Sequence, residues 1–158
     1  MHVCALGLDI GRKRVGVAGC DRLGLIATGL TTIKRSSFAR DVEELRHWVR
    51  EREINLLVVG LPYTLDGTLG SQARQVQKYA RRLSGALDLP IEYTDERLSS
   101  VEAEELLQAR GISPSQNKAA IDRQAAALIL QRWLDLRREG LEALGTSEAS
   151  GAEERMKN

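Results

Sequence analysis

The chain is poor in the residues that mark several functional classes. Its 158 residues include two cysteines, two histidines, three prolines, one Phe, two Trp and three Tyr. Cys4, Cys20, His2 and His47 match no zinc-site spacing. The two thiols fall on expected strands that can pair, so a contact is possible, and they read as two reduced core residues. So few aromatics do not make the stacking platform that single-strand binders use. Trp48 and Trp133 fall on helix stripes and read as core. Tyr63, in a loop, is left as the one candidate to stack on a base. No apolar run approaches the ~20 residues of a membrane span. Asp9 and Arg12 to Arg14 break up any signal-peptide-like stretch. A cytoplasmic protein with no membrane partner is expected.

Charge of one sign is also lacking, since the net charge is only +1. Its distribution is uneven. Residues 139–158 hold five Glu against Arg155 and Lys157, a net of −3, so residues 1–138 carry +4. The segment is rich in Gly, Ser, Ala and Glu with little to bury, and reads as an acidic tail, disordered or loosely helical. The expected folded domain is therefore residues 1–138, mildly basic and long enough for a real core.

What is present is a clear alternation of patterns. Residues 3–9, 14–20 and 25–33 read as three strands joined by short links, an antiparallel meander. Residues 37–52 carry apolar side chains at helical spacing, and Ser36 or Ser37 can cap them. "INLLVVG" is a continuous apolar run, as suits a central strand covered on both faces. Residues 71–87 form a second amphipathic helix, with Thr68 or Ser71 as its cap. "PIEYTDE" is a fifth strand, residues 99–109 a third helix, and residues 118–138 a long last helix. The order βββαβαβαα predicts an α/β fold: a mixed five-stranded sheet, three antiparallel strands then two parallel, flanked by helices.

Three acids stand out against this pattern. Asp9 ends the first strand and Glu96, preceded by Asp95, ends the fifth, where reactive groups of such sheets collect. A turn-starting Asp and an acid facing a helix dipole are the ordinary readings. Asp122 is less easily explained. Ala125, Ala126, Ile129 and Trp133 share its helical stripe, so it faces the sheet, where a carboxylate needs a cation or an arginine such as Arg97. Converging carboxylates without histidine suit Mg²⁺ or Mn²⁺. Two such ions ~3.5–4 Å apart serve phosphodiester displacement. Beside Asp9, the turn residues Gly11, Arg12, Lys13 and Arg14 suit the substrate phosphates. Tyr63 and Arg97 complete the candidate substrate contacts.

"GLDIGRKRVGVA", "VVGLPYTLDGTLG", "DERLSS" and "IDRQAAALIL" together resemble the YqgF family, also called RuvX, across about residues 5 to 130. That resemblance implies a ribonuclease H-like fold similar to the RuvC resolvases, with an acidic triad here on Asp9, Glu96 and Asp122. The resolvases carry a further acid near the start of the last helix, where this chain has Arg123 and Gln124 beside Asp122. The implied activity is a metal-dependent nuclease processing the 5′ end of the 16S ribosomal RNA precursor. Its partner would be the RNA or the assembling ribosome, and it would act as a monomer or homodimer. Resolution of four-way DNA junctions is the alternative. Two other classes compete. The first hairpin also resembles the phosphate-binding hairpin of sugar kinases and actin, but those clamp nucleotide between two such domains. A non-catalytic RNA- or protein-binding factor would keep the acids without using them.

Overall fold

Apolar residues alternate faces along the first strands, so one sheet is coated on both sides. The computed structural model describes residues 3–62, 69–95, 99–111, 113 and 117–156, with backbone alone at 99–102 and 141–156. The elements are β1 (Ala5–Ile10), β2 (Arg14–Cys20), β3 (Ala27–Lys34), α1 (Phe38–Glu51), β4 (Leu56–Leu61), α2 (Ser71–Leu87), β5 (Ile91–Asp95), α3 (Ser99–Ala109) and α4 (Lys118–Met156). The sheet order is β3-β2-β1-β4-β5. β1 pairs antiparallel with β2, and β2 with β3, while β1, β4 and β5 run parallel. This is the expected mixed sheet in the expected order. The last helix continues to Met156, past the Arg138 at which the apolar pattern stops.

The two faces bury different things. Leu6, Leu8, Ile10, Val15, Val17, Leu57 and Val59 point to the side covered by α1 and α2. Ala5, Ala18, Cys20 and Val58 point to the other side and pack on Ala126, Ala127, Ile129 and Leu130 of α4. Cys4 packs with the first cluster and Cys20 belongs to the second. The thiols therefore occupy opposite faces of the sheet and are both free, so the pairing of their strands does not bring them into contact. Ser37 caps α1 by accepting the Arg40 N–H at 3.3 Å. α2 starts behind Gly70 with no side-chain cap; Ser71 is its first residue, and Thr68 lies outside the described residues. His47 sits on the surface 3.2 Å from Glu51. Among the described residues, no helix is long and apolar enough to cross a membrane.

One buried polar group ties three elements together beneath α1 and α2. Asp41 is 3% exposed. Its carboxylate accepts the Tyr79 hydroxyl at 2.9 Å and the Ser36 N–H at 3.2 Å. Burial, then the bond to Asp41, push the Tyr79 hydroxyl well above its ordinary value of 10.0. The folded chain thus holds this proton more tightly than the unfolded chain. Its stabilising contribution is complete below pH 10 and is lost as pH rises above that value. Tyr93, also raised by burial, acts with the same sign. Tyr79→Phe leaves a buried carboxylate oxygen without this donor and is expected to cost about 1–3 kcal/mol in denaturant unfolding at pH 7. The same variant should lose stability less steeply than wild type above pH 10; an equal slope would show that Tyr79 does not titrate with unfolding.

Candidate active site

The carboxyl ends of β1, β4 and β5 lie along one edge of the sheet, because the three strands run parallel. Asp9 is the penultimate residue of β1 and faces Gly16 of β2 in register. Directly opposed residues of an antiparallel pair project to the same face. The odd positions of β1 face α4: Ala5 packs there, and a Cβ on Gly7 would stand 2.7 Å from the Leu130 Cβ. Asp9 therefore projects toward α4 as well.

Gly16 explains how Asp122 arrives beside it. A Cβ at Gly16 would stand 2.0 Å from the Asp122 carbonyl oxygen and 2.5 Å from its carbonyl carbon. The helix backbone occupies the place where a side chain at this position would be. Gly7 and Gly29 serve the same approach, at Leu130 and at the Arg123 backbone respectively. Thr32 fastens the start of α4 by donating its hydroxyl to the Ala119 carbonyl at 2.5 Å. At the other end of the sheet edge, Arg132 donates to the Asp95 carbonyl at 3.0 Å. The result places Asp122 over the position opposite Asp9. Isolated glycines inside strands are a signal of such close approach. The small residues of α4 were legible as half of this contact, and Gly7 and Gly16 of "LGLDIGRKRVGVAG" supply the other half with Gly29.

Asp122 is not alone on its apolar stripe. Arg14 donates its Nε to Asp122 Oδ2 at 2.6 Å. The pair is half-buried, with side chains 31% and 20% exposed. The arginine that compensates Asp122 is thus the first residue of β2. Beside it, Gly11, Arg12, Lys13 and Arg14 form a tight turn closed by the Gly11 N–H on the Arg14 carbonyl at 2.9 Å. Arg35 braces this turn twice. Its backbone N–H donates to the Lys13 carbonyl and its guanidinium to the Gly11 carbonyl, both at 2.8 Å. The guanidinium also lies 4.0 Å over the Tyr79 ring, which links the turn to buried Asp41. Arg12 and Lys13 are exposed. So are Lys34, the register partner of Arg14, and Lys118 and Arg123 on α4. These last three cations were not picked out in the sequence, because only the fold brings β3 and α4 beside the turn.

Glu96, Arg97 and Tyr63 lie outside the described residues. Glu96 follows directly on β5, whose last described residue Asp95 pairs with Leu61. Among the described residues no group of three His, Cys, Asp or Glu could hold a metal. Asp9 and Asp122 are two hard oxygen donors on one face, and a guanidinium already seated on Asp122 marks a place that accepts positive charge.

The mixed five-stranded sheet in the order β3-β2-β1-β4-β5, flanked by helices, is a ribonuclease H-like fold shared with RuvC. T. thermophilus RuvC, solved in complex with a Holliday junction substrate, superposes with a TM-score of 0.54 at 17% identity, covering 87% of this chain and 96% of RuvC. The fowlpox virus resolvase, solved with Holliday junction DNA, gives 0.51 at 7% identity, over 84% and 97%. The RuvX family, described as Holliday junction resolvase, matches residues 3–136, and the chain belongs to that family. A relative from Trichormus variabilis is 65% identical over 137 residues, 87% of this chain and 91% of its own. One from Synechocystis is 63% identical over 143 residues, 90% and 94%. Both carry the name "Putative pre-16S rRNA nuclease".

Proposed function

We propose that this chain is a divalent-metal-dependent nuclease that processes the 5′ end of the 16S ribosomal RNA precursor, on the RNA or on the assembling ribosome in the cytoplasm. The observation that carries the reading is the placement of Asp122 over Gly16, on the face to which Asp9 points, next to an exposed basic turn. The names of the relatives at 65% and 63% identity support the RNA substrate. The family description favours a second reading, cleavage of four-way DNA junctions. A two-fold substrate would then call for a homodimer, whereas a monomer suffices for a single RNA strand.

In this reading Asp9, Asp122 and Glu96 hold Mg²⁺ or Mn²⁺. When bound, the ion supplies charge that activates water and stabilises the leaving oxygen. The chain's own residues do the rest. Arg12 and Lys13 take the phosphates flanking the scissile bond, with Gly11 permitting close approach. Arg35 keeps that turn in shape through the Gly11 and Lys13 carbonyls. Tyr63 stacks on a base and Arg97 contacts the backbone. Cleavage of a structured precursor RNA and of a four-way junction, each with Mg²⁺, Mn²⁺ or chelator, tests the reading and chooses between its substrates.

The catalytic domain in this reading is residues 1–138, and residues 139–158 lie beyond the family match that ends at 136. Deleting 139–158 is expected to change unfolding free energy by no more than about 0.5 kcal/mol, the size of ordinary surface changes. Cleavage should stay at the wild-type rate. A large loss in either measurement would make the acidic segment part of the domain.

A further inference from the structure

Arg14 and Asp122 pose a conflict of roles. If Asp122 holds a metal ion and Arg14 a phosphate, the 2.6 Å bond between them must be exchanged for both. A dication on the same carboxylate would bring like charges within about 5 Å, a strong repulsion in a half-buried place. Arg14 has somewhere to go. It stands at the base of the basic turn, beside exposed Arg12 and Lys13, and its own side chain is 31% exposed. Asp122 is fixed instead, because its backbone is pressed on Gly16.

We infer that Arg14 is the resident counter-cation of Asp122, displaced when a divalent ion binds and thereby freed for a substrate phosphate. This rests on the reading of Asp122 as a metal ligand. It adds that metal and nucleic acid bind cooperatively through one side chain. The exchange is reciprocal: whatever factor the metal gains from bound nucleic acid, nucleic acid gains from bound metal.

The test measures Mn²⁺ binding to the full chain by titration calorimetry, without nucleic acid. Arg14→Gln is expected to tighten Mn²⁺ binding by about tenfold, within the usual range of coupled sites. Arg12→Gln removes the same charge from the same turn but not from Asp122, and should change it by less than about twofold. Asp122→Asn should weaken it by more than about tenfold. In a second arm, Ca²⁺ added to a short RNA hairpin and the protein should raise RNA affinity more in wild type than in Arg14→Gln. If Arg14→Gln folds poorly, Arg14→Met, which keeps the alkyl stem, carries the same expectation. Mn²⁺ affinity unchanged in the Arg14 variant but weakened in Asp122→Asn overturns the displacement and leaves the active site standing. Affinity unchanged in both overturns the active-site reading itself. Equal tightening in Arg12→Gln and Arg14→Gln assigns the effect to overall charge and also overturns the displacement.

Discussion

Neutralising Asp9 or Asp122 is expected to abolish cleavage while leaving a folded protein. Loss of an outer-shell partner of a metal costs about 10–100-fold, so loss of a direct ligand should exceed ~100-fold. Glu96→Gln should do the same. The three acids need not behave alike in stability. Carboxylates brought onto one face repel each other without a metal, so Asp9→Asn is expected to be neutral or slightly stabilising. In Asp122→Asn the Arg14 guanidinium keeps an acceptor oxygen but loses the opposite charge it holds at 2.6 Å. Both side chains are partly exposed, so the cost should stay within ~0–1 kcal/mol. Thermal unfolding beside single-turnover cleavage separates these effects. A variant that unfolds cooperatively at the wild-type temperature yet cleaves normally would remove that acid from the chemistry. One that fails to fold would make it structural.

Gly16→Ala should give the largest loss of stability of any single methyl group added to the sheet. The new Cβ would meet the Asp122 carbonyl at 2.0 Å, and backbone cannot rotate away as a side chain can. Either α4 lifts from β2 or the strand shifts. Overpacking of a core commonly costs 1–3 kcal/mol, and this contact should lie at about 3 kcal/mol or above. For a domain of this size that is a fall in Tm of about 6–12 °C. Gly7→Ala meets Leu130 Cβ at 2.7 Å and should cost less, and Gly29→Ala, at 3.2 Å from the Arg123 carbonyl, less again. Because α4 carries Asp122, Gly16→Ala should also lose cleavage beyond what its stability explains, even well below its Tm. A variant with wild-type Tm would show that α4 does not sit this closely on β2.

Much of this arrangement was legible from local pattern. β2 and α2 begin and end where alternation and helical spacing place them, at Arg14–Cys20 and Ser71–Leu87. Ser37 caps α1 because it is the polar residue just before the first apolar turn. β3 starts later than its β-branched run, at Ala27, because Asp21 folds residues 21–26 into a turn. Its carboxylate accepts the Leu25 and Ile26 N–H groups at 2.7 and 3.0 Å. The placement of Asp122 on the sheet-facing stripe was legible too, since it follows from helical period alone.

The partner of Asp122 was not legible. Arg14 is 108 positions away in the chain, and no local spacing joins them. Arg97, closer in sequence and chemically equal, lies outside the described residues, and only the crossing of α4 over β2 brings Arg14 to Asp122. The role of Gly16 is hidden for the same reason: a glycine in a strand signals that something approaches, without naming it. The Asp122 backbone reaches the strand position opposite Asp9 through a missing side chain, a contact that no carboxylate motif records.

The most direct measurement is cleavage of a structured 16S precursor RNA and of a four-way DNA junction by wild type and Asp9→Asn, with Mg²⁺, Mn²⁺ or chelator. Cutting of the precursor RNA that needs metal and vanishes in the variant is the expected result. Failure of the well-folded wild-type protein to cut either substrate with either metal, free or on precursor ribosomal particles, would contradict it and leave a nucleic-acid- or protein-binding factor.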